Sequence, residues 1–507
     1  TSPLISDFKE TLKQHGVIAD HNERKELIKN QVIEILKSEG SPLYIDEDLL
    51  DTVTFLVEMP KPVVGKFNSS YLSLPVEVLE TAMKKHQKYF SIHAPAESDS
   101  DKVKLLPKFI TITNGVGEDN IIRHGNERVL GARLADAEFF YMEDQKTKLS
   151  DKVDRLKSVV FQEELGSLYD KSCRLREIAS FICHEINADE GTLKNAIRAA
   201  ELCKVDLITQ MVMEFPTLQG IMGGYYASNS GENEEVSIAI RSHYYPISMN
   251  SPLPENLVGC IVSVSDKIDT IIGYFGIGNI PSGSQDPFAL RRQANGIIRI
   301  LLEKGINLSL ERIVEYAISL YVNSQKANIQ VNGLKDNVLD FLRGRISSVL
   351  SENGFTYDVI NSVLSVDSTD PLNIVKRAYA LTEFKNRNDF ERIYPAFNRV
   401  IRILPDTKRI GKDNKFEVKE KLFQDQAEQN LYTALLSIEK DVLQNAKQGS
   451  YDIILNKLST LCDSIDAFFD KVMVMAEQDD IRNNRLSLLY RLANMLFLVA
   501  DFSKLVV

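Results

Sequence analysis

The chain lacks most of the features that announce a self-contained active site. Its 507 residues contain no Gly-x-x-x-x-Gly-Lys string, so no P-loop is available to cradle a nucleotide phosphate. No Gly-x-Ser-x-Gly elbow occurs. His184-Glu185 fails as a zinc-protease motif, because Ala188 stands where the second histidine is required. The seven histidines never cluster, which argues against a metal site built from them. Gly273, Gly276 and Gly278 lack the strand, turn and helix that a dinucleotide site needs around its glycines. Cysteine is scarce: Cys173, Cys183, Cys203, Cys260 and Cys462 are odd in number and form no Cys-x-x-Cys pair. They read as reduced core residues of an intracellular, cytoplasmic protein. No apolar run approaches the ~18 residues that a membrane span requires. No signal peptide precedes the first helix. The first residue is Thr1, so a piece of a longer protein is expected.

What is present is ample for several cores. Hydrophobic residues make up 44% and charged residues 26%, the composition of a globular chain. The length corresponds to about three domains. Lys plus Arg is 60 against Asp plus Glu at 71, a formal charge of -11. That balance excludes a broadly basic nucleic-acid coat. It leaves room for RNA contact through local patches, since a few positioned cations suffice for phosphates.

Residues 1–150 mix periods and read as an α+β domain. Glu23 to Leu36 is helical, with Leu27, Ile28, Val32 and Ile35 on one side, and Asp46 to Leu56 is helical with Asp46 as N-cap. Pro60, Pro62 and Gly65 break the pattern. Residues 89–92 and 109–113 read as strands, the second ending at Asn114-Gly115. A polar loop is expected over Pro95 to Lys104, and helix returns from Gly125 to Tyr141. Beyond Asp151 the chain reads as mainly α. Long helices are expected over Leu156–Ile186, Leu193–Phe215, Asn256–Gly273 and Pro287–Glu303. Gly220, Gly223 and Gly224 mark a break or a close contact. Asp286-Pro287 and Asp370-Pro371 each look like an N-cap followed by proline at the first helical position. The domains expected are 1–150, 151–306, a helical connector 307–370, and 371–507. Lys408 to Lys415 is a basic segment expected at the surface.

Four groups of cations are candidate RNA-contacting residues. Lys84, Lys85 and Lys88 surround His86 and precede Tyr89-Phe90; lysines reach phosphates and rings stack on bases. The alternative is a solvated helix end. Arg291 and Arg292, with Arg299 seven residues beyond Arg292, place two guanidinium groups on one helix face. Arg399 and Arg402 lie three apart, as do Arg482 and Arg485. Arg482 and Arg485 fall at a helix start, where cations oppose the helix dipole. They are expected on one exposed face, away from the stripe Leu488, Leu492, Met495 and Val499. Pairing with Glu477, Asp479 and Asp480 is the alternative. The preceding stripe, Phe468, Val472 and Met475, is expected on a helix of its own.

Several strings together carry a family resemblance. They include Lys85-His86-Gln87-Lys88-Tyr89-Phe90 and Gly125-Asn126-Glu127-Arg128-Val129-Leu130, the latter followed by Ala132-Arg133-Leu134-Ala135-Asp136-Ala137. Further on stand Lys204-Val205-Asp206-Leu207, Leu218-Gln219-Gly220-Ile221-Met222-Gly223, Asp266-Lys267-Ile268-Asp269-Thr270 and Asp286-Pro287-Phe288-Ala289-Leu290-Arg291-Arg292. From about residue 18 to the end the chain resembles the beta subunit of bacterial-type glycyl-tRNA synthetase. That family has a further N-terminal region, so the resemblance implies a fragment lacking it. It implies an N-terminal domain like part of the phenylalanyl-synthetase beta chain, an HD-like helical middle and a C-terminal helical bundle that binds the anticodon. The implied role is tRNA recognition within a class II glycine-tRNA ligase. The catalytic site, with ATP and Mg²⁺, would belong to an alpha subunit in an alpha2-beta2 tetramer, and this chain would hold no cofactor, no metal and no catalytic residue. HD phosphohydrolases hold metals through a His-Asp dipeptide, which is missing here. Lys204 takes its place beside Asp206, with Asp266 as the later aspartate, so the resemblance implies a degenerate site in which a lysine replaces the metal charge. The rival functions are a metal-dependent HD-type phosphohydrolase using Asp206 and Asp266, and a helical scaffold without an RNA role.

Overall fold

The computed structural model describes residues 5–95, 104–115, 117–283, 285–324, 327–367, 369–404 and 417–506, with residues 5–7 described by their backbone alone. Most of the expected loop at 95–104, and all of the basic segment at 408–415, lie outside the described residues. The chain is mainly helical, with a small sheet near its N-terminal end. Its contacts divide it into two units. One comprises Thr1–Arg155 with Lys204–Glu232, the other Leu156–Cys203 with Asn233–Val507.

The first unit is built on three antiparallel strands, β1 (Pro60–Lys66), β2 (Phe90–His93) and β3 (Leu105–Asn114), in the order β1-β3-β2. The prolines expected to break the pattern therefore lie within a strand. Proline removes a ladder donor, and β1 tolerates two because it is an edge strand paired only with β3. The helices His21–Ser38 and Glu47–Thr54 cover the sheet. Ile28, Val32, Leu36, Leu50 and Val53 pack on Phe90, Ile92 and Ile110. Asp46 caps the second helix as expected, accepting from Leu49 N at 3.0 Å.

The long helix Asp119–Gln145 gathers in residues 204–232 through one carboxylate. Asp144, 5% exposed, accepts from the backbone N–H groups of Gln210 (2.9 Å) and Met211 (3.0 Å) and from the Tyr226 hydroxyl (2.9 Å). Two of those donors are the unsatisfied first N–H groups of the helix Gln210–Glu214, a favourable place for negative charge. The continuous helix expected over 193–215 is thereby broken. It stops at Leu202, passes through a 3₁₀ turn, and restarts at Gln210.

The second unit is a helical assembly around Leu257–Gly276, which packs against the helices Leu168–Glu185, Glu190–Leu202, Glu234–Ser242, Leu290–Glu303, Leu310–Asn323 and Leu334–Glu352. The helix expected from Leu156 begins only at Leu168, after a 3₁₀ stretch and a short hairpin of β4 (Val160–Gln162) and β5 (Gly166–Ser167). Ser167 and Asp170 form a capping box that fixes this start. Asp370 caps the helix Pro371–Lys385 as its Asp-Pro sequence implies. At Asp286-Pro287 the same device works differently, since the helix starts at Leu290. The Asp286 carboxylate reaches forward to Leu290 N (2.8 Å) and Arg291 N (3.0 Å) across a turn that leaves Ala289 at φ +53°. Four helices, Gln426–Gln448, Tyr451–Ser459, Cys462–Lys471 and Asp479–Phe497, lie in the last part of the chain. The third ends before Met473 and Met475, which are 76% and 51% exposed, so the expected stripe stops at Val472.

Gly65 shows how tightly the sheet is closed. The Phe109 ring lies across it and stacks on Tyr89 at 4.5 Å, and a Cβ at Gly65 would meet that ring at 2.3 Å. Phe109 is fully buried, in an interior that close packing fills. Gly65→Ala should destabilise this unit by roughly 1–3 kcal/mol through overpacking. The check is the urea midpoint of the variant; an unchanged midpoint would show that the ring yields freely.

Candidate functional site

The carboxylates expected to form a degenerate metal site are each engaged within their own unit. Asp206 is fully buried at the 3₁₀ turn Val205–Ile208. Its Oδ2 accepts from Gly220 N (2.5 Å) and Gly223 N (3.1 Å). Gly220 has φ +80°, a conformation glycine adopts without strain, and this brings its N–H inward. The glycine break at 220–224 is therefore the cradle of a buried carboxylate. Burial pushes the Asp206 carboxyl up to about 6, against the pull of Gly220, Lys204 and Gly223. Its Oδ1 has no hydrogen-bond partner.

Asp266 meets the ammonium of Lys171, a residue that the sequence reading did not single out. Lys171 Nζ lies 2.9 Å from Asp266 Oδ1, 2.9 Å from Asp269 Oδ2 and 2.8 Å from Thr270 Oγ1. Arg174 reaches Asp269 through Nε (2.6 Å) and Nη2 (3.3 Å). All four charged side chains are buried or nearly so, Asp269 completely. Burial opposes the charge on Asp269, but Arg174 and Lys171 overcome it and hold the carboxyl below the ordinary range. Phe161 lies 4.6 Å under Lys171 and Tyr321 4.1 Å under Arg174, closing the cluster with ring faces. The arrangement is a buried ionic network of two carboxylates and two cations. The sequence contained two clues to it: Lys171 and Arg174 lie one turn apart, and Asp269 follows Asp266 by three.

The C-terminal arginines divide. Arg482 pairs with Asp479 and donates to Ala476 O at 3.2 Å, so the alternative of holding the turn describes it. Arg485 is 6% exposed, contrary to the exposed face expected of it. It donates to Glu428 through Nε (2.9 Å), to Met473 O (3.0 Å) and to Gln424 Oε1 (3.2 Å). Glu428 is itself fully buried and closes the capping box of the helix Gln426–Gln448. The reason lies in the register, because Arg485 is three residues before Leu488 and four after Ile481, in line with the apolar stripe.

Of the other candidates, Arg399 and Arg402 stay exposed at the end of the helix Phe390–Arg402 and line one open groove of about 470 Å³ with Tyr394, Pro395 and Asn398. The Arg399 guanidinium lies 4.6 Å over Phe469, which pre-orients it. Lys84 is spent on Asp46. Lys85 is exposed, while Lys88, at φ +59°, donates to Lys85 O at 3.0 Å. The segment 82–87 is a π-helical turn, and its His86 stacks edge-on against Phe215 at 5.4 Å. Burial, then the charge of Arg133, lowers the His86 pKa. Arg291 and Arg292 open the helix Leu290–Glu303 on one cleft with Arg299.

Two outcomes follow from these buried charges. Arg485→Ala should cost about 3–5 kcal/mol, because it strands Glu428 in the core. Pairing Arg485→Met with Glu428→Gln should recover most of that loss, which a urea titration of both variants measures. Asp206 titrates in the opposite sense to a salt-bridged acid. Its folded pKa of about 6 exceeds its ordinary 3.8, so its stabilisation is full below 3.8 and is lost as pH rises through about 6. The difference is on the order of 3 kcal/mol, at 1.36 per unit. Asp206→Asn should flatten the stability profile over that window; a profile parallel to wild type would refute the assignment.

The family model described as glycyl-tRNA synthetase beta subunit matches residues 3–365, and the DALR anticodon binding domain matches residues 396–499. The second match takes in Arg399, Arg402, Arg482 and Arg485. The chain is 42% identical over 502 residues to the glycine–tRNA ligase beta subunit of Citrifermentans bemidjiense, covering 99% of this chain and 71% of that one. The beta subunits from Moorella thermoacetica (39% over 511 residues) and Marinobacter nauticus (41% over 506) are covered to the same extents. With both matches in register along almost its whole length, the chain belongs to the glycyl-tRNA synthetase beta subunit family.

Proposed function

We propose that this chain recognises tRNA for a class II glycine-tRNA ligase and performs none of the chemistry itself. As a beta subunit it acts with a partner subunit, and we infer that this alpha subunit holds glycine, ATP and Mg²⁺. The assembly would be an alpha2-beta2 tetramer in the cytoplasm. Among the described residues no helix is long and apolar enough to cross a membrane.

The observation that carries this role is the pair Arg399 and Arg402. Both are exposed and face one groove, inside the segment that matches an anticodon-binding domain, on a chain of net charge -11. Cations kept exposed on an acidic protein suit local phosphate or base contact rather than nonspecific attraction. The absence of catalysis is supported by the engagement of Asp266, one of the two HD-type aspartates, and of its neighbour Asp269. Asp269 and Asp266 are neutralised by Lys171 and Arg174, and a divalent cation there would have to displace an ammonium that is 2% exposed.

Arg399→Ala with Arg402→Ala should weaken glycine-tRNA binding by roughly 1–3 kcal/mol per well-made contact and lower the salt slope by about 0.7 to 0.9 per lost phosphate. Thermal unfolding should barely change, since both side chains are exposed. The purified chain alone should give no glycine-dependent pyrophosphate exchange. Exchange by this chain without its partner would end the non-catalytic assignment, and salt-independent tRNA affinity would end the recognition role.

A further inference from the structure

Most cations of the second unit are committed to protein partners, but Arg291 and Arg292 are not. Among the described residues neither guanidinium has a hydrogen-bond or ion-pair partner. They border a cleft of about 480 Å³ together with Asp286, Asn295, Gly296 and Arg299. Residues 246–249 form its opposite wall.

The other polar groups of the cleft are occupied in building it. Arg299 donates through Nε to Glu303 (2.9 Å) and through Nη1 to the carbonyls of Ser248 (3.2 Å) and Ser251 (3.4 Å), which holds the facing loop. Asp286 spends both carboxylate oxygens on the N–H groups of Leu290 and Arg291, which fixes the first helical turn and the base of each arginine. Gly296 forms the floor. A Cβ there would meet Lys267 Cε at 3.0 Å and Pro246 Cγ at 3.4 Å, so the helix lies close against these two residues.

One further group is left over. Asn295 Oδ1 is buried and has no hydrogen-bond partner, while Nδ2 makes only a 3.9 Å contact with Met249 Sδ. Asn295 lies four residues after Arg291 and three after Arg292, on the same helix face. A buried acceptor without a donor is costly, and a ligand hydroxyl would relieve it. The complementary ligand therefore carries an anion for two guanidinium groups and, next to it, a hydroxyl donor. The backbone of RNA presents this pair as a phosphate and an adjacent ribose 2′-hydroxyl; DNA lacks the second.

We propose that this cleft takes one ribose–phosphate unit of the bound tRNA. Arg291 and Arg292 hold the phosphate, and Asn295 accepts a hydrogen bond from the 2′-hydroxyl. The assignment rests on the tRNA-recognising role above and adds to it a site that distinguishes RNA by its sugar. Ile247 and Met249, 54% and 46% exposed on the facing loop, supply an apolar edge for the sugar.

The test uses the full chain and a glycine-tRNA transcript. Affinity is measured across a salt series for wild type, for Arg291→Ala with Arg292→Ala, and for Asn295→Ala, with thermal melts to confirm folding. The double variant should bind about tenfold more weakly, with a log–log salt slope reduced by about 0.7 to 0.9. A transcript pool carrying sparse 2′-deoxy substitutions is then partitioned by wild type and by Asn295→Ala. One position should interfere with binding to wild type and cease to interfere with the variant. An unchanged slope in the double variant, or identical interference patterns, overturns the proposal while leaving tRNA recognition intact. A wild-type chain without salt-dependent tRNA binding removes both. Inorganic phosphate is titrated alone as a control; binding lost in the double variant, with tRNA affinity kept, would assign the cleft to a small anion and overturn the RNA assignment.

Discussion

The second unit depends on the burial of Asp269. This carboxylate sits on the central helix of that unit with no exposure at all, where an uncompensated charge would be prohibitive. Lys171 and Arg174 reach it from the helix Leu168–Glu185, and Tyr321 donates to its backbone oxygen at 3.0 Å from the helix Leu310–Asn323. Two helices are thereby tied together by one charge, and a third is tied to the same residue by a backbone hydrogen bond. The packing around it leaves no slack. A Cβ on Gly273 would meet the Tyr321 hydroxyl at 2.6 Å and Leu165 at 2.8 Å. Apolar burial supplies the driving force for such a bundle, whereas a satisfied ionic cluster selects one arrangement among the many that apolar contacts alone would permit.

The same accounting separates structural cations from those available to a ligand. Arg485, Arg174 and Lys171 are consumed by buried carboxylates, and Arg299 by carbonyls and Glu303. Arg482 and Lys84 are spent at the surface on Asp479 and Asp46. Of the candidate cations not spent in this way, Lys85 in the first unit and Arg292, Arg399 and Arg402 in the second are exposed. On an acidic chain, contact with a polyanion requires only a few positioned cations and the grooves that present them. This is consistent with a subunit that reads selected positions of one RNA and does not coat it.

Carboxylates placed against backbone N–H groups form a second recurring device. Asp144 and Asp206 in the first unit, and Asp286 in the second, each accept from two such donors. Each stops or starts a helix at a place where the chain must turn. The irregular stretch between residues 203 and 221 is ordered in this way, by two buried acids and not by a continuous helix.

Much of this architecture was legible in the residues. The predominance of helix, two of the three strands, the caps at Asp46 and Asp370 and the family resemblance follow from local chemistry and from strings that few families share. The partners of long-range charges were not legible. Arg485 and Arg482 are the same residue type three positions apart, yet one is buried on Glu428, 57 residues earlier in the chain, and the other stays at its turn. Lys171 lies 95 residues from Asp266, so no local spacing connects them. Pro60 and Pro62 read as breakers until the strand order makes β1 an edge. By itself the sequence determined the periodicities, the caps and the family, because those depend on neighbours within a few residues. Only the tertiary structure decided which charges neutralise one another and which remain exposed, because that depends on groups brought together from distant parts of the chain.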